Sequence, residues 1–430
     1  MRNNACYLFF TAVNLFLISS CSIQQKISKQ ANNDILLQPD FVPAHVGISL
    51  YDPLTQKYLY NYQGEKLFTP ASNMKLFTCY AAMKNLGDSL VGIRYEIIND
   101  STIEIEPTAD PTLLHPDFKR QPVFSFLKRY NNIKIVKPRY DDFMGSGWSW
   151  NDYQEGYMAQ RSNLPIYGNV VVISKQSDTS INISSSVSFK TIIAEPLKNG
   201  FAVTKSWDEN MFTFRNGTDK IKEVPFRPDI ATIETLLRDT LHKKISSDFS
   251  FNRPLTKTIH SQPIDTLLKI MMHRSDNFFA EQTLLMVSHQ KLGVMNDAKI
   301  IDTLLKIDMK GLPQKTRWVD GSGLSRYNLI SPQDFVWVLT QMKNDFKWAR
   351  IQEILPTGGE GTLTSYYKNY AGRIYAKTGS LSNHIALSGY LTTKKGKQLI
   401  FSVLVNAHQA PAANIRKGVE KFLTAVIEKY

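Results

Sequence analysis

The most constraining feature of the sequence is an almost unbroken apolar run near the end of the chain. The run covers Leu399 to Phe401 and Val403 to Val405, with a single serine between them. A strand with one face in water alternates apolar and polar residues, whereas a continuous apolar run indicates a strand covered on both faces. The segment Lys397–Asn406 is therefore predicted to lie in a sheet that carries a packed layer on each side.

Four further strands are expected to complete this sheet. The β-rich runs His45–Asp52 and Gln56–Tyr62 flank a turn near the start of the chain, and Arg373–Lys377 and Asn383–Leu391 precede the apolar run. Two strands at one end and three at the other are each too few for an independent, stable sheet. We therefore join them into one five-stranded antiparallel sheet flanked by helices, which is an α/β (α+β) architecture with an insertion in the middle.

A chain of 430 residues is too long for one compact domain. Residues 35–92 and 255–430 are assigned to the main domain, and residues 93–254 to a β-rich inserted domain. A reduced subdomain is expected at 170–225. The segment Phe226–Ile245 is predicted to be an amphipathic helix within the insertion, because its apolar residues recur at helical intervals.

The first residues are typical of an exported protein. Arg2 is followed by an apolar stretch from Ala5 to Ile18, which is too short to span a membrane and runs into small residues. The sequence from Ile18 to Cys21 resembles the lipobox of bacterial lipoproteins, in which the cysteine carries the lipid; plain secretion is the alternative. Residues 1–20 are thus predicted to be a signal peptide, Cys21 the lipidation site and residues 21–34 a tether that holds the protein on the periplasmic side of a membrane.

The composition narrows the possible partners. The net charge of +13 favours anionic surroundings such as an acidic polymer or a membrane surface. Nucleic acid is not expected as a partner, because the basic residues form no concentrated run and no nucleic-acid-binding signature. No metal or other cofactor is expected either, since the eight histidines show no metal-ligand spacing.

Three short motifs carry the chemistry. Ser72 and Lys75 lie three residues apart in a stretch that is predicted to be helical from Ser72 to just before Gly87. On a helix this spacing puts the amine and the hydroxyl on one face, where the amine can accept the hydroxyl proton. The same spacing recurs elsewhere in the chain, and what distinguishes Ser72 is the later presence of Ser275-Asp276-Asn277 and Lys377-Thr378-Gly379.

In this order the motifs resemble the active-site set of the penicillin-interacting serine acyltransferases. The long insertion between the first two motifs is similar to the D-alanyl-D-alanine carboxypeptidase/endopeptidase family, the class C low-molecular-mass penicillin-binding proteins of the penicillin-binding protein 4 type. The resemblance implies a serine β-lactamase/transpeptidase-like fold. Further blocks similar to that family are Thr69–Ser72, Arg274–Gln282, Asp320–Ser325, Gly361–Leu363 and Ala376–Leu381, with Asp110–Leu113 and Gly147–Asp152 inside the insertion.

The resemblance implies catalytic roles for three residues. Ser72 is the expected nucleophile, Lys75 its base, and Ser275 a bridge that passes the proton to the leaving group. An ordinary lysine has a pKa of about 10.4, so burial and a second cation must lower the pKa of Lys75 before it can act as a base at neutral pH. Lys377 is expected to supply that second charge.

The resemblance also implies a substrate site for peptides that end in D-Ala-D-Ala. Thr378, in the positive field of Lys377, is suited to the terminal carboxylate, and Asn277 to an amide of the substrate. The backbone N–H groups of Ser72 and Ser380 are expected to form the oxyanion hole. The implied substrate-binding set is Asn277, Lys377, Thr378, Gly379 and Ser380.

The insertion offers one more candidate. Asp141 and Asp142 are placed to bring a carboxylate over the cleft, where Asp142 would receive the amino group of a diamino acid in the stem peptide. A solvated acidic turn is the alternative interpretation. Trp148, Trp150 and Tyr153 are expected to be core aromatics rather than a platform for sugars.

The sequence thus predicts a lipid-anchored serine DD-carboxypeptidase/DD-endopeptidase that acts on peptidoglycan stem peptides or cross-links and binds β-lactam antibiotics covalently at Ser72. A β-lactamase on the same fold is one alternative; it would need a carboxylate for fast deacylation, and no motif identifies one. A catalytically inactive, peptidoglycan-binding envelope lipoprotein is the other. The intact residues Ser72, Lys75, Ser275 and Lys377 argue against it.

Overall fold

The computed structural model describes residues 23–136, 140–184, 189–250, 253 and 255–430. The predicted signal peptide and the predicted lipidation site Cys21 lie outside these residues. Within the described ranges, no helix combines the length and the apolar character needed to cross a membrane.

One five-stranded antiparallel sheet unites the two ends of the chain, which confirms the predicted fold class. The N-terminal hairpin joins the C-terminal strands because the strand His45–Asp52 pairs with Gln398–Asn406 from His45 to Tyr51. The neighbouring strands pair antiparallel throughout. In spatial order the strands are Ile374–Leu381, His384–Thr392, Gln398–Asn406, His45–Asp52 and Lys57–Tyr62.

The central strand is covered on both faces, as its apolar run predicts. Ile400 and Leu404 belong to the core that the sheet shares with the helices of the main domain. Phe401 belongs to a second core, formed with the C-terminal helix Ala412–Lys429. Successive side chains of a strand point to opposite faces, so this one strand anchors both layers. Each such buried apolar side chain stabilises the fold by roughly 1.5–3 kcal/mol relative to an exposed one.

The segment around Ser72 departs from the predicted helix. A 3₁₀ turn, Ala71–Met74, comes first, and the α-helix Lys75–Asn85 follows it. Ala71 has a φ of 47°, so a regular α-helix cannot begin there. The other described α-helices are Pro122–Leu127, Ile230–Leu241, Ile264–Arg274, Asn277–Leu292, Asp297–Lys306, Pro332–Asp345, Trp348–Ile354 and Ala412–Lys429, and residues 23–31 are also helical.

The inserted region is β-rich, and its main sheet extends past both predicted boundaries. The strand Ser89–Asn99 begins before residue 93 and pairs with Lys257–Pro263, which follows residue 254. In spatial order, the strands of the five-stranded sheet of the insertion are Lys244–Ser247, Asn132–Ile135, Thr102–Pro107, Ser89–Asn99 and Lys257–Pro263. A first three-stranded sheet consists of Lys190–Ile193, Met211–Asn216 and Phe201–Lys205. A second consists of Ile221–Pro225, Val170–Lys175 and Ile181–Ile183.

The helix predicted over Phe226–Ile245 is shorter than its apolar period suggests. It spans Ile230–Leu241, because the Asp229 side chain accepts a hydrogen bond from the Thr232 N–H and so caps its start. His242 adopts the left-handed conformation and ends it. The apolar pattern runs on beyond the helix because the following strand, Lys244–Ser247, also buries one apolar side chain, Ile245.

Candidate active site

Ser72 lies in the 3₁₀ turn that leads into the helix Lys75–Asn85. The Lys75 Nζ donates a hydrogen bond to the Ser72 Oγ over 3.0 Å. In a 3₁₀ turn the side chains at i and i+3 eclipse each other, so this geometry aims the amine at the hydroxyl. The departure from a regular helix thus favours the contact that a serine nucleophile and its base require.

Lys75 is fully buried and held from three sides. Besides Ser72, its Nζ donates to the Asn277 Oδ1 over 2.6 Å and to the Ser322 carbonyl over 2.8 Å. Burial lowers the pKa of Lys75 to about 8, although nearby carboxylates, with Asp276 first among them, oppose the shift. An appreciable fraction of this amine is therefore neutral near pH 7 and able to accept a proton.

Ser275 occupies the junction between two helices, as predicted. It has a φ of 61° and ends the helix Ile264–Arg274, while the Asp276 side chain caps the next helix, Asn277–Leu292. The Lys377 Nζ donates to the Ser275 Oγ over 2.8 Å. A short polar side chain tolerates this left-handed conformation, which turns its hydroxyl out of both helices and toward the sheet edge.

The edge strand Ile374–Leu381 lies directly against the turn that carries Ser72. A Cβ on Gly379 would stand 2.8 Å from the Pro70 carbonyl and 3.1 Å from the Asn73 nitrogen, which is too close for a side chain. The glycine of the third motif is therefore required for close approach of strand and turn. This approach brings Ser380 into the cavity that Ser72 lines.

The charge of Lys75 acts on Lys377, the second buried lysine of the site. Burial, and then the charge of Lys75, lower the pKa of Lys377 well below its usual range. The Lys377 Nζ also donates to the Thr378 carbonyl over 2.7 Å, so this amine is fixed in place by hydrogen bonds rather than by a carboxylate. The charge of Lys75 thus disfavours a charge on Lys377, whereas burial lowers the pKa of Lys75 itself, without the contribution that the sequence analysis expected from Lys377.

Ser72 lines two neighbouring cavities. One, of about 400 Å³, is also bounded by Ser275, Thr378, Gly379 and Ser380. The other, of about 300 Å³, reaches the inserted region. The structure therefore brings all three motifs to one place. The residues predicted from the motifs that meet here are Ser72, Lys75, Ser275, Asn277, Lys377, Thr378, Gly379 and Ser380.

Asn277 makes contacts that the sequence did not indicate. Its Oδ1 accepts from Lys75, and its Nδ2 donates to the Tyr157 carbonyl over 2.9 Å. Both ends of the amide are thus hydrogen-bonded within the protein. This arrangement fits a side chain that orients Lys75 better than one that binds the substrate, as the sequence analysis expected. Tyr157 belongs to the insertion, so the inserted region contacts Asn277 directly.

The predicted placement of Asp142 over the cleft is wrong. Its carboxylate pairs with Arg161 over 3.1 Å, and it lies outside both cavities that contain Ser72. The structure places Asp152 in the 300 Å³ cavity instead, where the Tyr157 hydroxyl bonds to it. Asp152 closes the block Gly147–Asp152 that resembles the family, but nothing in the sequence says which acidic turn faces Ser72.

The sequence predicted that the aromatic residues near the site lie in the core, but not all of them do. Trp150 is 73% exposed. Trp148 is half-buried, and its Nε1 donates to the Asp320 carboxylate over 3.0 Å. Tyr153 packs edge-on against Trp207. The prediction is therefore wrong for Trp150, because a tight turn at Trp150–Asp152 turns that side chain outward.

Two buried carboxylates that the sequence did not single out hold the backbone around Lys75. Asp320 accepts from the Gly323 and Ser325 N–H groups and shapes the loop that holds Lys75. Glu281 accepts from the Ser322 N–H over 2.7 Å, and it lies 3.7 Å from the buried Arg161 of the insertion. Both carboxylates lie inside blocks that resemble the family, and this resemblance is the sequence feature that could have identified them.

Comparison with known proteins gives a consistent match. The model of the D-Ala-D-Ala carboxypeptidase 3 (S13) family matches residues 28–196 and 244–426. A D-alanyl-D-alanine carboxypeptidase of Actinomadura sp. (strain R39) is 25% identical over 447 residues, which cover 88% of this chain and 80% of that protein.

Two solved structures share the fold. Penicillin binding protein 4 (dacB) from Haemophilus influenzae aligns with a TM-score of 0.74 and 19% identity over 94% of this chain and 99% of that one. The penicillin G-acylated Bd3459 predatory endopeptidase from Bdellovibrio bacteriovorus, in complex with an immunity protein, aligns with a TM-score of 0.53 and 16% identity over 89% of this chain and 93% of that one.

Proposed function

Because the chain belongs to the D-Ala-D-Ala carboxypeptidase 3 (S13) family, we propose that it hydrolyses D-Ala-D-Ala termini or cross-links of peptidoglycan stem peptides through an acyl-enzyme at Ser72. The observation that carries the proposal is the contact of the buried Lys75 amine with the Ser72 hydroxyl over 3.0 Å, at the wall of a cavity. A penicillin-acylated endopeptidase of the same fold further supports covalent β-lactam binding.

Acylation begins with attack of the Ser72 Oγ on the carbonyl of the penultimate D-Ala. Neutral Lys75 accepts the hydroxyl proton, and the oxyanion is stabilised by the N–H groups of Ser72 and Ser380. The C–N bond then breaks, an ester forms at Ser72, and the leaving amine takes up a proton. Water later attacks the ester and releases the shortened peptide.

Ser275 is suited to carry that proton to the leaving amine. Its Oγ accepts from Lys377, so its own hydrogen is free to point into the cavity. Asn277 holds Lys75 from the opposite side. In the proposed mechanism Lys75 is the base, Ser275 passes the proton to the leaving amine, and Asn277 and Lys377 are positioning residues.

Turnover of a D-Ala-D-Ala peptide and of a cross-linked muropeptide tests the proposal and measures the balance between trimming and cross-link cleavage. Release of D-Ala, or of two uncross-linked stems, supports it. A long-lived penicilloyl adduct argues against a β-lactamase, whereas rapid penicillin hydrolysis favours that alternative. Binding of muropeptide without any turnover favours the inactive lipoprotein.

The acylation rate is expected to rise with pH. Because the pKa of Lys75 is about 8, most Lys75 amines carry a proton at lower pH and cannot accept another. The value of kcat/KM should therefore increase about tenfold between pH 6 and pH 7 and level off above about pH 8. The rate constant for acylation by a chromogenic β-lactam, measured from pH 6 to 9, checks this. A flat profile contradicts a role for Lys75 as the base.

We also propose that Asp152 selects the stem peptide. Its carboxylate lies in the cavity with Ser72, and among the described residues no cation pairs with it, so it is available to an ammonium group of a diamino acid. Arg326 lines the same cavity and is placed to hold a carboxylate of that residue. A cavity with both charges suits a zwitterionic side chain.

Asp152→Asn should lower kcat/KM about tenfold for a D-Ala-D-Ala peptide with a free side-chain amine and leave the acetylated peptide nearly unchanged. Asp142→Asn is the matched control, because Asp142 lies outside the cavity. Equal losses on both peptides, or the same selectivity loss in the control, would remove Asp152 from this role.

The proposed location is the cell envelope, with Cys21 lipidated and the catalytic cleft in the periplasm. The apolar N-terminal stretch and the lipobox-like Ile18–Cys21 support it. Membrane partitioning of a Cys21→Ala variant tests the anchor: retention in the membrane fraction excludes Cys21 as the attachment point.

A further inference from the structure

The C-terminal helix Ala412–Lys429 places a cation beside the third motif. The Arg416 Nη2 donates a hydrogen bond to the Ser380 Oγ over 2.9 Å. The helix is fixed against the sheet by Ile415 and Val419, which flank Arg416 and are buried in the same core as the central strand. The guanidinium is therefore positioned by core packing rather than by a loop.

Arg416 lines the 400 Å³ cavity that also contains Ser72, Ser275 and Thr378. Much of the remaining wall is apolar, with Leu387 as one example. Among the described residues no carboxylate forms an ion pair with Arg416. A guanidinium in a partly apolar cavity, with hydroxyls around it and no acidic partner, is arranged to receive an anion.

The lysine of the third motif is a poor source of this charge. Lys377 is fully buried, and its amine is already occupied by the Ser275 hydroxyl and the Thr378 carbonyl. Burial and the neighbouring Lys75 also lower the pKa of Lys377 well below its usual range. An arginine, in contrast, stays charged at every physiological pH and offers several donors in one plane.

We propose that Arg416, together with the hydroxyls of Thr378 and Ser380, binds the free carboxylate of the leaving D-amino acid. This inference rests on the proposed function and deepens it. One nitrogen of the guanidinium holds Ser380, and the others remain for a carboxylate oxygen, while Thr378 lines the same cavity. Arg416 is then a determinant of specificity for substrates whose leaving residue ends in a free acid rather than an amide.

The test uses two peptides that differ only at the C-terminus, a D-Ala-D-Ala free acid and its carboxamide. Wild type should prefer the acid. Arg416→Gln should lower kcat/KM for the acid about 10- to 100-fold, mainly through KM, and leave the carboxamide nearly unchanged, so that the preference collapses. Arg416→Lys should retain an intermediate preference. Lys417→Gln is the control, because it removes one positive charge from the exposed neighbour in the same helix.

An Arg416→Gln enzyme that keeps the wild-type preference overturns the inference and leaves the proposed function intact. Equal losses on both peptides, or the same loss of preference in Lys417→Gln, also overturn it, because they indicate a fold defect or a long-range charge effect. If the wild type hydrolyses neither peptide, the proposed function fails, and this inference fails with it.

Discussion

Replacing Ser72 by alanine is expected to lower kcat for a D-Ala-D-Ala peptide by about 10⁴- to 10⁶-fold and to abolish covalent labelling by a fluorescent penicillin. The variant removes the oxygen that forms the ester, while the Lys75 amine keeps its bonds to Asn277 and the Ser322 carbonyl. The fold should therefore survive, and the loss should be chemical. Labelling intensity on a denaturing gel and initial rates of D-Ala release measure the two effects.

Ser125→Ala is the matched control for this experiment. Ser125 precedes Lys128 at the same spacing as Ser72 and Lys75, but it lies exposed on the short helix Pro122–Leu127. Its variant should label and turn over like wild type. A label that persists in Ser72→Ala, or that disappears in Ser125→Ala, places the nucleophile elsewhere.

The largest stability effect is expected at Arg161, where Arg161→Met should lower the free energy of unfolding by about 3–5 kcal/mol. Arg161 is fully buried and pairs with Asp297 over 2.6 Å and Asp142 over 3.1 Å, with Glu281 at 3.7 Å. Methionine fills similar space but leaves the buried Glu281 carboxylate without its cation. Urea unfolding of wild type and variant measures the difference.

Two further variants separate the cause. Arg215→Met removes an exposed arginine and should change stability by less than about 0.5 kcal/mol. Glu281→Gln in the Arg161→Met background should restore part of the loss, because it removes the uncompensated charge. No recovery in the double variant would contradict the assignment of the effect to Glu281.

The Arg161→Met variant should also be acylated by penicillin more slowly than the wild type. Glu281 holds the Ser322 N–H, and the Ser322 carbonyl holds the Lys75 amine. Arg161 therefore connects the insertion to Lys75, the proposed base, by a short series of contacts. A variant that loses stability but acylates at the wild-type rate would show that the insertion is only a structural addition.

The sheet and the three motifs were readable from the sequence because they depend on local patterns. The apolar run around Phe401 indicates a doubly covered strand whatever its partners are. The spacing of Ser72 and Lys75 brings their side chains together in a helix or in a 3₁₀ turn, so that prediction survived an error in the local conformation.

The sequence also misplaced several residues, and the errors at Asp142 and at the insertion boundaries concern packing between distant segments. Asp142 and Asp152 lie in the same stretch of the insertion, and their local sequences do not say which carboxylate enters the cavity. The insertion boundaries were drawn at changes of composition, whereas the strand Ser89–Asn99 finds its partner across the whole insertion. The error at Trp150 is local, because the tight turn Trp150–Asp152 exposes a side chain that was expected in the core.

Short, local patterns in the sequence determined the three motifs and the central strand of this protein. These patterns are a hydroxyl spaced three residues from an amine, a glycine at the end of a strand, and an apolar run that indicates a strand covered on both faces. The surroundings of that chemistry were settled by long-range packing alone. Arg416 meets Ser380 because a helix docks on the sheet, and Arg161 meets Glu281 because the insertion docks on the main domain. Contacts of this kind depend on how whole elements fit together, and no periodicity or spacing along the chain encodes them.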